Sequence, residues 1–196
     1  MDAKEIEKRV ARAKDDILKE VNDRLPRTVG VIAVNHFTQN FHQGGWLDNG
    51  LHPWPRTKRQ DSASPDAKYS PLTSRRNHLM KSIQATTAPG QVTVENPVPY
   101  AAIHNDGGEV PVTQRMRRFA WAKVYSIAGI KKGQKQPKQL PAEAEMWKGL
   151  ALTKKTTLRI PQRQFMGDSA ELREKIGKAV RKSLDAIAAH IAKFRQ

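Results

Sequence analysis

Apolar residues at Ile6, Val10, Ala13, Ile17, Leu18 and Val21 fall three or four apart along residues 2–24, the spacing of one stripe on an amphipathic helix. The positions between them mix charges of both signs. Pro26 lacks a backbone donor and is expected to end this helix, leaving Thr28 to cap a second, more apolar helix over residues 29–41. Toward the other end of the chain, Leu172, Ile176, Val180, Leu184, Ile187, Ile191 and Phe194 form the longest periodic run. Asp168-Ser169, followed by Glu171 and Glu174, supplies the start signal of that last helix.

Between these helices the period breaks down. Gly-Gly, Asn-Gly, His-Pro and three further prolines predict a Pro-rich arm over residues 44–71, with Trp46 and Trp54 presented on it for contact with other proteins. Leu72-Thr73 opens a short helix carrying Leu79, Met80 and Ile83, and residues 91–95 alternate as a strand does until Pro97 and Pro99 close it. Residues 100–104 lead into Asp106-Gly107-Gly108, a turn that uses the positive φ open to glycine, and a strand follows near 110–113. Residues 115–127 fit a helix or a strand, because their aromatic and β-branched residues weaken either reading. Residues 129–140 are a Lys-rich loop with little to bury, and residues 156–160 read as a strand stopped by Pro161.

The elements together predict an α+β fold. A small, mostly antiparallel sheet from residues 91–95, 110–113 and 156–160 packs against the long C-terminal helix and the helix near 73–84. Its organisation is an N-terminal amphipathic helix over residues 1–26 ahead of a single α+β domain over residues 27–196.

Composition narrows the chemistry. With 38% hydrophobic and 6% aromatic residues the core is lean, so much of the chain should be loop or contact surface. There are no cysteines, which excludes disulfides and thiolate metal sites and fits a reducing cytoplasm. Residues 1–24 interleave seven basic with seven acidic residues, unlike a signal peptide, and no run is as predominantly apolar over roughly 18 residues as a membrane span requires, so the expectation is a soluble protein. His36, His42, His52, His78, His104 and His190 show no metal-ligand spacing. Ser62 and Ser64 lie in a Pro-rich loop without a nucleophile elbow, and the glycine pairs lack a phosphate-binding lysine. Neither catalysis nor a cofactor is expected.

The formal charge of +16 calls for an acidic partner. From Pro111 to Arg163 thirteen Lys and Arg face only Glu143 and Glu145, and Arg115, Arg117, Arg118, Lys131, Lys132 and Arg163 are the candidate contact residues within this basic stretch. Phe119, Trp121 and Trp147 interleave with it, as aromatics do in nucleic-acid sites, so non-specific DNA contact is one expectation and an acidic protein surface the other. The ordinary reading is a solvated face over core aromatics, with Arg163 an exposed charge.

Four segments carry a resemblance: Leu79–Ile83, Val98-Pro99-Tyr100-Ala101-Ala102-Ile103-His104-Asn105-Asp106-Gly107-Gly108, Met116-Arg117-Arg118-Phe119-Ala120-Trp121, and Ile160-Pro161-Gln162-Arg163-Gln164-Phe165-Met166-Gly167. In this order and spacing, over residues 30–195, the chain resembles the phage virion morphogenesis, or tail-completion, family of Mu-like prophages and related contractile-tailed phages. It departs at Asn77, where glycine is expected; asparagine also tolerates the left-handed conformation. The resemblance implies a non-enzymatic subunit of the virion neck or tail, assembled in the host bacterial cytoplasm, that forms a homo-oligomeric ring and meets other head, neck or tail proteins so that a tail can dock to a filled head. Tyr100, His104, Gly107, Gly108, Phe119, Trp121, Pro161 and Phe165 are then structural motif positions. A basic nucleic-acid-binding protein is the alternative reading, and a lysis or processing enzyme a third.

Overall fold

The computed structural model describes residues 3–61, 65–130, 134, 137 and 139–193. The predicted Lys-rich loop, with Lys131 and Lys132, falls largely outside the described residues, as does Phe194. The chain divides into two compact units, one from Met1–Pro53, Leu79–Val98 and Phe165–Gln196, the other from Trp54–His78 and Pro99–Gln164.

The first unit begins with α1 (Ala3–Lys19), which runs through a π-helical turn (Glu20–Arg24) into α2 (Leu25–Gln43). Pro26 therefore does not end the first helix. Its ring would press on the carbonyl four residues back, and the wider π turn placed just before it relieves that clash while the backbone stays helical. Asn22 O, the carbonyl that residue 26 would reach in a regular helix, accepts Gly90 N at 3.4 Å. Thr28 is not a cap: it sits inside α2 and its hydroxyl donates to Arg24 O at 2.9 Å. Along α2, Ala33, His36, Phe37, Asn40 and Phe41 are buried on one face.

Two hairpins flank α2. β1 (Gly45–Leu47) pairs antiparallel with β2 (Leu51–Pro53), and β3 (Gln84–Ala88) pairs antiparallel with β4 (Gln91–Glu95) in the register Ala85↔Val94 and Thr87↔Val92. A short helix, α3, covers only His78–Lys81 and not the longer span expected from Leu72. Asn77, just before it, does adopt positive φ (47°), with its side chain accepting Ser74 N. The last helix, α7 (Ala170–Lys193), starts where the Asp-Ser signal placed it: Ser169 Oγ accepts Leu172 N at 3.3 Å, and Asp48 Oδ1 accepts Ala170 N at 2.9 Å.

In the second unit α4 (Ala101–Asp106) turns at Gly107 into β5 (Gly108–Pro111), which pairs antiparallel with β6 (Thr157–Ile160). Between them lie α5 (Gln114–Ala128) and α6 (Ala142–Ala151), packed through Ala120, Val124, Ala144 and Ala151, all buried. Residues 115–127 are thus helical, started by the Thr113 hydroxyl accepting Met116 N and ended by Gly129 at positive φ.

The α+β class holds, but the strands do not join in one sheet. Among the described residues they form three separate two-stranded ladders, and residues 91–95 pair with 84–88 instead of with the other predicted strands. The Pro-rich arm is also more ordered than expected. It holds the β1–β2 hairpin and two 3-10 turns, Lys58–Asp61 and Pro65–Lys68.

Gly30 of α2 lies where an added Cβ would come within 3.1 Å of Ala85 Cβ and 3.2 Å of Val92 Cγ2. Replacing Gly30 with valine should push the β3–β4 hairpin off α2 and lower stability by roughly 1–3 kcal/mol. Thermal unfolding followed by circular dichroism checks this; an unchanged Tm would mean that the two elements are not in contact.

Candidate functional site

The two glycine- and proline-marked motifs meet in the second unit. Gly107 (φ 73°) sits so close to the chain after β6 that a Cβ there would stand 2.8 Å from Gln162 N, which explains a glycine at a turn that reverses α4 into β5. Arg163 N donates to His104 O at 2.8 Å, continuing the contact past the β5–β6 ladder beyond Pro161, where β6 has ended. Tyr100 packs edge-on against His104, with ring centroids 5.9 Å apart.

Arg163 is the centre of this junction, and it is buried, with 6% of its surface exposed. The expectation of an exposed contact charge is corrected. Its Nε donates to Pro55 O at 3.0 Å and Nη2 to Arg56 O at 3.3 Å, so the guanidinium fork holds a segment that has no ladder partner of its own. Burial weakens its hold on its proton and, together with the nearby Arg163 charge, also lowers the pKa of His104, burial being the larger cause. Trp54, on the same segment, is buried too and donates Nε1–H to Gln164 O at 2.7 Å. Trp46 is buried in the first unit with its ring edge-on to His36. Both tryptophans were expected on an exposed arm; prolines on either side gave Trp54 the look of a loop residue, whereas its indole serves as an internal anchor.

Phe165 belongs to the first unit, packed on Phe41 at 5.0 Å between centroids, and its carbonyl accepts Asn40 Nδ2 at 3.1 Å. Nearby, His36 and Ser169 make a buried polar pair, Nε2 to Oγ at 3.0 Å, that sequence reasoning missed. The available signal was spacing: His36 and Asn40 share a helix face with Ala33, Phe37 and Phe41. Lys175 Nζ lies 3.4 Å from His36 Nδ1. An ammonium only donates, so Nδ1 accepts, Nε2 carries the proton and Ser169 Oγ receives it. That is the opposite of what a base activating a serine needs, and Ser169 Oγ is in addition the cap of α7. Burial first, then Lys175, lowers the His36 pKa against a weaker pull from Glu171. Glu171 itself is held well below the usual carboxylate range by accepting Gly50 N (3.0 Å) and Asn49 N (3.2 Å) of the β1–β2 turn.

The exposed basic face lies on α5. Arg115, Arg118, Phe119 and Lys123 are exposed, Phe119 with 53% of its surface, while Arg117 and Trp121 are half-buried and Val124 is buried. Arg117 is half-buried and donates to Ala151 O and Thr153 O, closing the C-terminal end of α6 where a cation is favoured. Of the described candidate contact residues, then, Arg115 and Arg118 are presented outward, and Arg117 and Arg163 hold backbone. Lys123 Nζ lies over the Phe119 ring at 5.6 Å and Trp147 meets it edge-on at 5.8 Å, so the ring sits between one cation and a second aromatic ring. Trp121 stacks on Tyr125. Among the described residues there is no group of three His, Cys, Asp or Glu that could hold a metal, and no helix long and apolar enough to cross a membrane.

Compared with known proteins, the chain matches a family model described as the phage virion morphogenesis family over residues 1–185. Neither the comparison with curated proteins nor that with solved structures yields a match.

Removing Arg163 leaves two backbone carbonyls without their donor, so Arg163→Ala should cost roughly 2–4 kcal/mol of stability in denaturant unfolding, and Arg163→Lys should recover only part of it because an ammonium lacks the planar fork. Full recovery by lysine would show that charge alone is needed. A second outcome concerns pH. His36 and His104 bind protons less readily folded than unfolded, so the unfolded chain holds more protons below about 6.5, their usual value. Stability is therefore complete above that pH and falls as the pH drops below it, before the carboxylates titrate. Midpoints of urea unfolding across this range should show the decline, and His104→Gln should make it shallower.

Proposed function

The chain belongs to the phage virion morphogenesis family, and from that membership we propose that it is a structural subunit that completes the tail or neck and lets a tail join a filled head. The family serves phage structure and assembly. In this reading the protein works without catalysis or cofactor, as a ring of copies in the neck or tail, touching other head, neck or tail proteins and no membrane.

The observation that supports the reading is the α5 face: three exposed cations and a half-exposed phenylalanine, on a helix fixed to α6 by small buried residues, by Arg117 and by the packing of Phe119 on Trp147. Such a face fits a partner surface that is acidic at its rim and apolar at its centre, the usual anatomy of a protein interface. DNA would attract the same cations. A base, however, needs an open aromatic face to stack on, and Lys123 and Trp147 already occupy the surroundings of Phe119. The geometry therefore favours an acidic protein neighbour over nucleic acid.

The test is complementation of a phage lacking the gene with the variant Arg115→Ala/Arg118→Ala/Phe119→Ala/Lys123→Ala. The variant should fold, since these side chains are exposed, yet lower the yield of infectious particles at least about tenfold, one such step corresponding to roughly 1.4 kcal/mol of lost binding. Electron micrographs should show separate heads and tails. Joined particles at normal titre would overturn the reading.

A further inference from the structure

None of the described residues of α1 is buried, although its apolar stripe is the most regular feature of the first forty residues. Ile6 is 47% exposed, Val10 63% and Leu18 45%. The stripe does not simply lie open. Near its C-terminal end α7 runs alongside it, with His190 Nε2 at 3.0 Å from Asp16 and Ser183 donating to Glu20 at 2.8 Å. Ile6, Val10, Ala13, Ile17, Leu18 and Ile191 line an apolar groove of about 460 Å³. A groove of this shape, one helix long and walled by aliphatic side chains, takes another helix.

We propose that the occupant is α1 of a second copy of this chain, packed antiparallel. Ile6, Val10, Ala13 and Ile17 are spaced four, three and four apart, the seam of a two-helix coil, and the residues beside the seam decide the direction of pairing. On one side stand Glu7 and Lys14, on the other Arg9 and Asp16. In a parallel pair Arg9 would face Lys14 of the partner subunit, a repulsion at both sides of the two-fold axis. In an antiparallel pair Ile6 meets Ile17 of the partner subunit and Val10 meets Ala13 of the partner subunit. That register sets Glu7 against Lys14 of the partner subunit and Arg9 against Asp16 of the partner subunit, four opposite-charge pairs by symmetry. The mixed charge of a helix that carries seven basic and seven acidic residues up to Arg24 is thus self-complementary in one orientation only. A basic helix alone would repel its copy.

Asp16 also meets His190, and Arg9 lies 3.6 Å from Glu5, so Glu7 and Lys14 are the cleaner probes. The pairing is independent of the docking face on α5, and the purified full-length chain is enough to test it. Sedimentation equilibrium should show reversible self-association of the natural sequence. Glu7→Lys puts lysine against lysine, and Lys14→Glu puts glutamate against glutamate, so each variant alone should associate roughly tenfold more weakly. Mixed in equal amounts the two should pair with each other about as well as the natural chain pairs with itself, because every contact is again between opposite charges. Val10→Asp, at an exposed position that leaves the fold intact, should abolish association without shifting the Tm of dilute protein. A natural chain that stays monomeric, variants that associate as tightly as it does, or a mixture no tighter than its components would each overturn the proposal; loss of head-to-tail joining with this association unaffected would concern the α5 face alone.

Discussion

A backbone amide or carbonyl removed from water must find a partner, and the three separate two-stranded ladders among the described residues leave many of them outside any ladder. In this protein side chains take that place. Asn40 bridges Leu47 N and Phe165 O, Glu171 holds the amides of Asn49 and Gly50, and Arg163 holds Pro55 O and Arg56 O. Arg59 Nη2 gathers the carbonyls of Tyr69, Ser70 and Thr73. The Asn40–Phe165, Glu171 and Arg163 contacts tie residues more than a hundred positions apart in sequence, and the Arg59 contacts close a local loop, so the loops are fixed by polar groups where larger proteins would use a wider sheet or a thicker core. The lean hydrophobic composition and the ordered loops are two sides of this one arrangement.

The same constraint changes how the charge should be read. A formal +16 suggests a uniformly cationic exterior. Yet Arg59, Arg117 and Arg163 are directed at carbonyls within the chain, where their geometry matters more than their field. What is left on α5 is a small, shaped group of cations around Phe119 and not a broad basic sheet. Non-specific attraction to a polyanion grows with the number of phosphates neutralised, whereas a protein contact gains from a few well-placed groups around an apolar centre.

How much was legible in the sequence follows from the range of the forces involved. The last helix could be read directly because its period, its Ser169 cap and its early acids are all local. The strands at 91–95 and 157–160 were legible for the same reason, by alternation and a closing proline. Local pattern failed where a distant partner decides. Pro26 looks like a stop, but a π turn and the amide of Gly90 accommodate it. Residues 115–127 could not be assigned from propensity, and the Thr113 cap and the small-residue seam with α6 settle them as helix. Arg163 and Trp54 look like surface residues beside prolines, and only the return of the chain after β6 puts carbonyls and backbone within their reach. The candidate site was therefore half legible: Arg115 and Arg118 stand on the exposed face, and Arg117, in the same short run, turns inward by helical phase.

That phase difference also bears on how the exposed face can act. Association costs freedom, and a loose helix would lose much of its binding energy to ordering. Arg117 anchors α5 to the end of α6 from one side while Ala120 and Val124 fix it by close packing, so the residues one position away are presented on a rigid support. Phe119 is held in one orientation by Trp147 and Lys123 before any partner arrives. A subunit that must meet its neighbour once, during assembly, benefits from such preorganisation. The inward arginine and the outward ones then belong to a single device, in which the half-buried charge sets the position of the exposed charges.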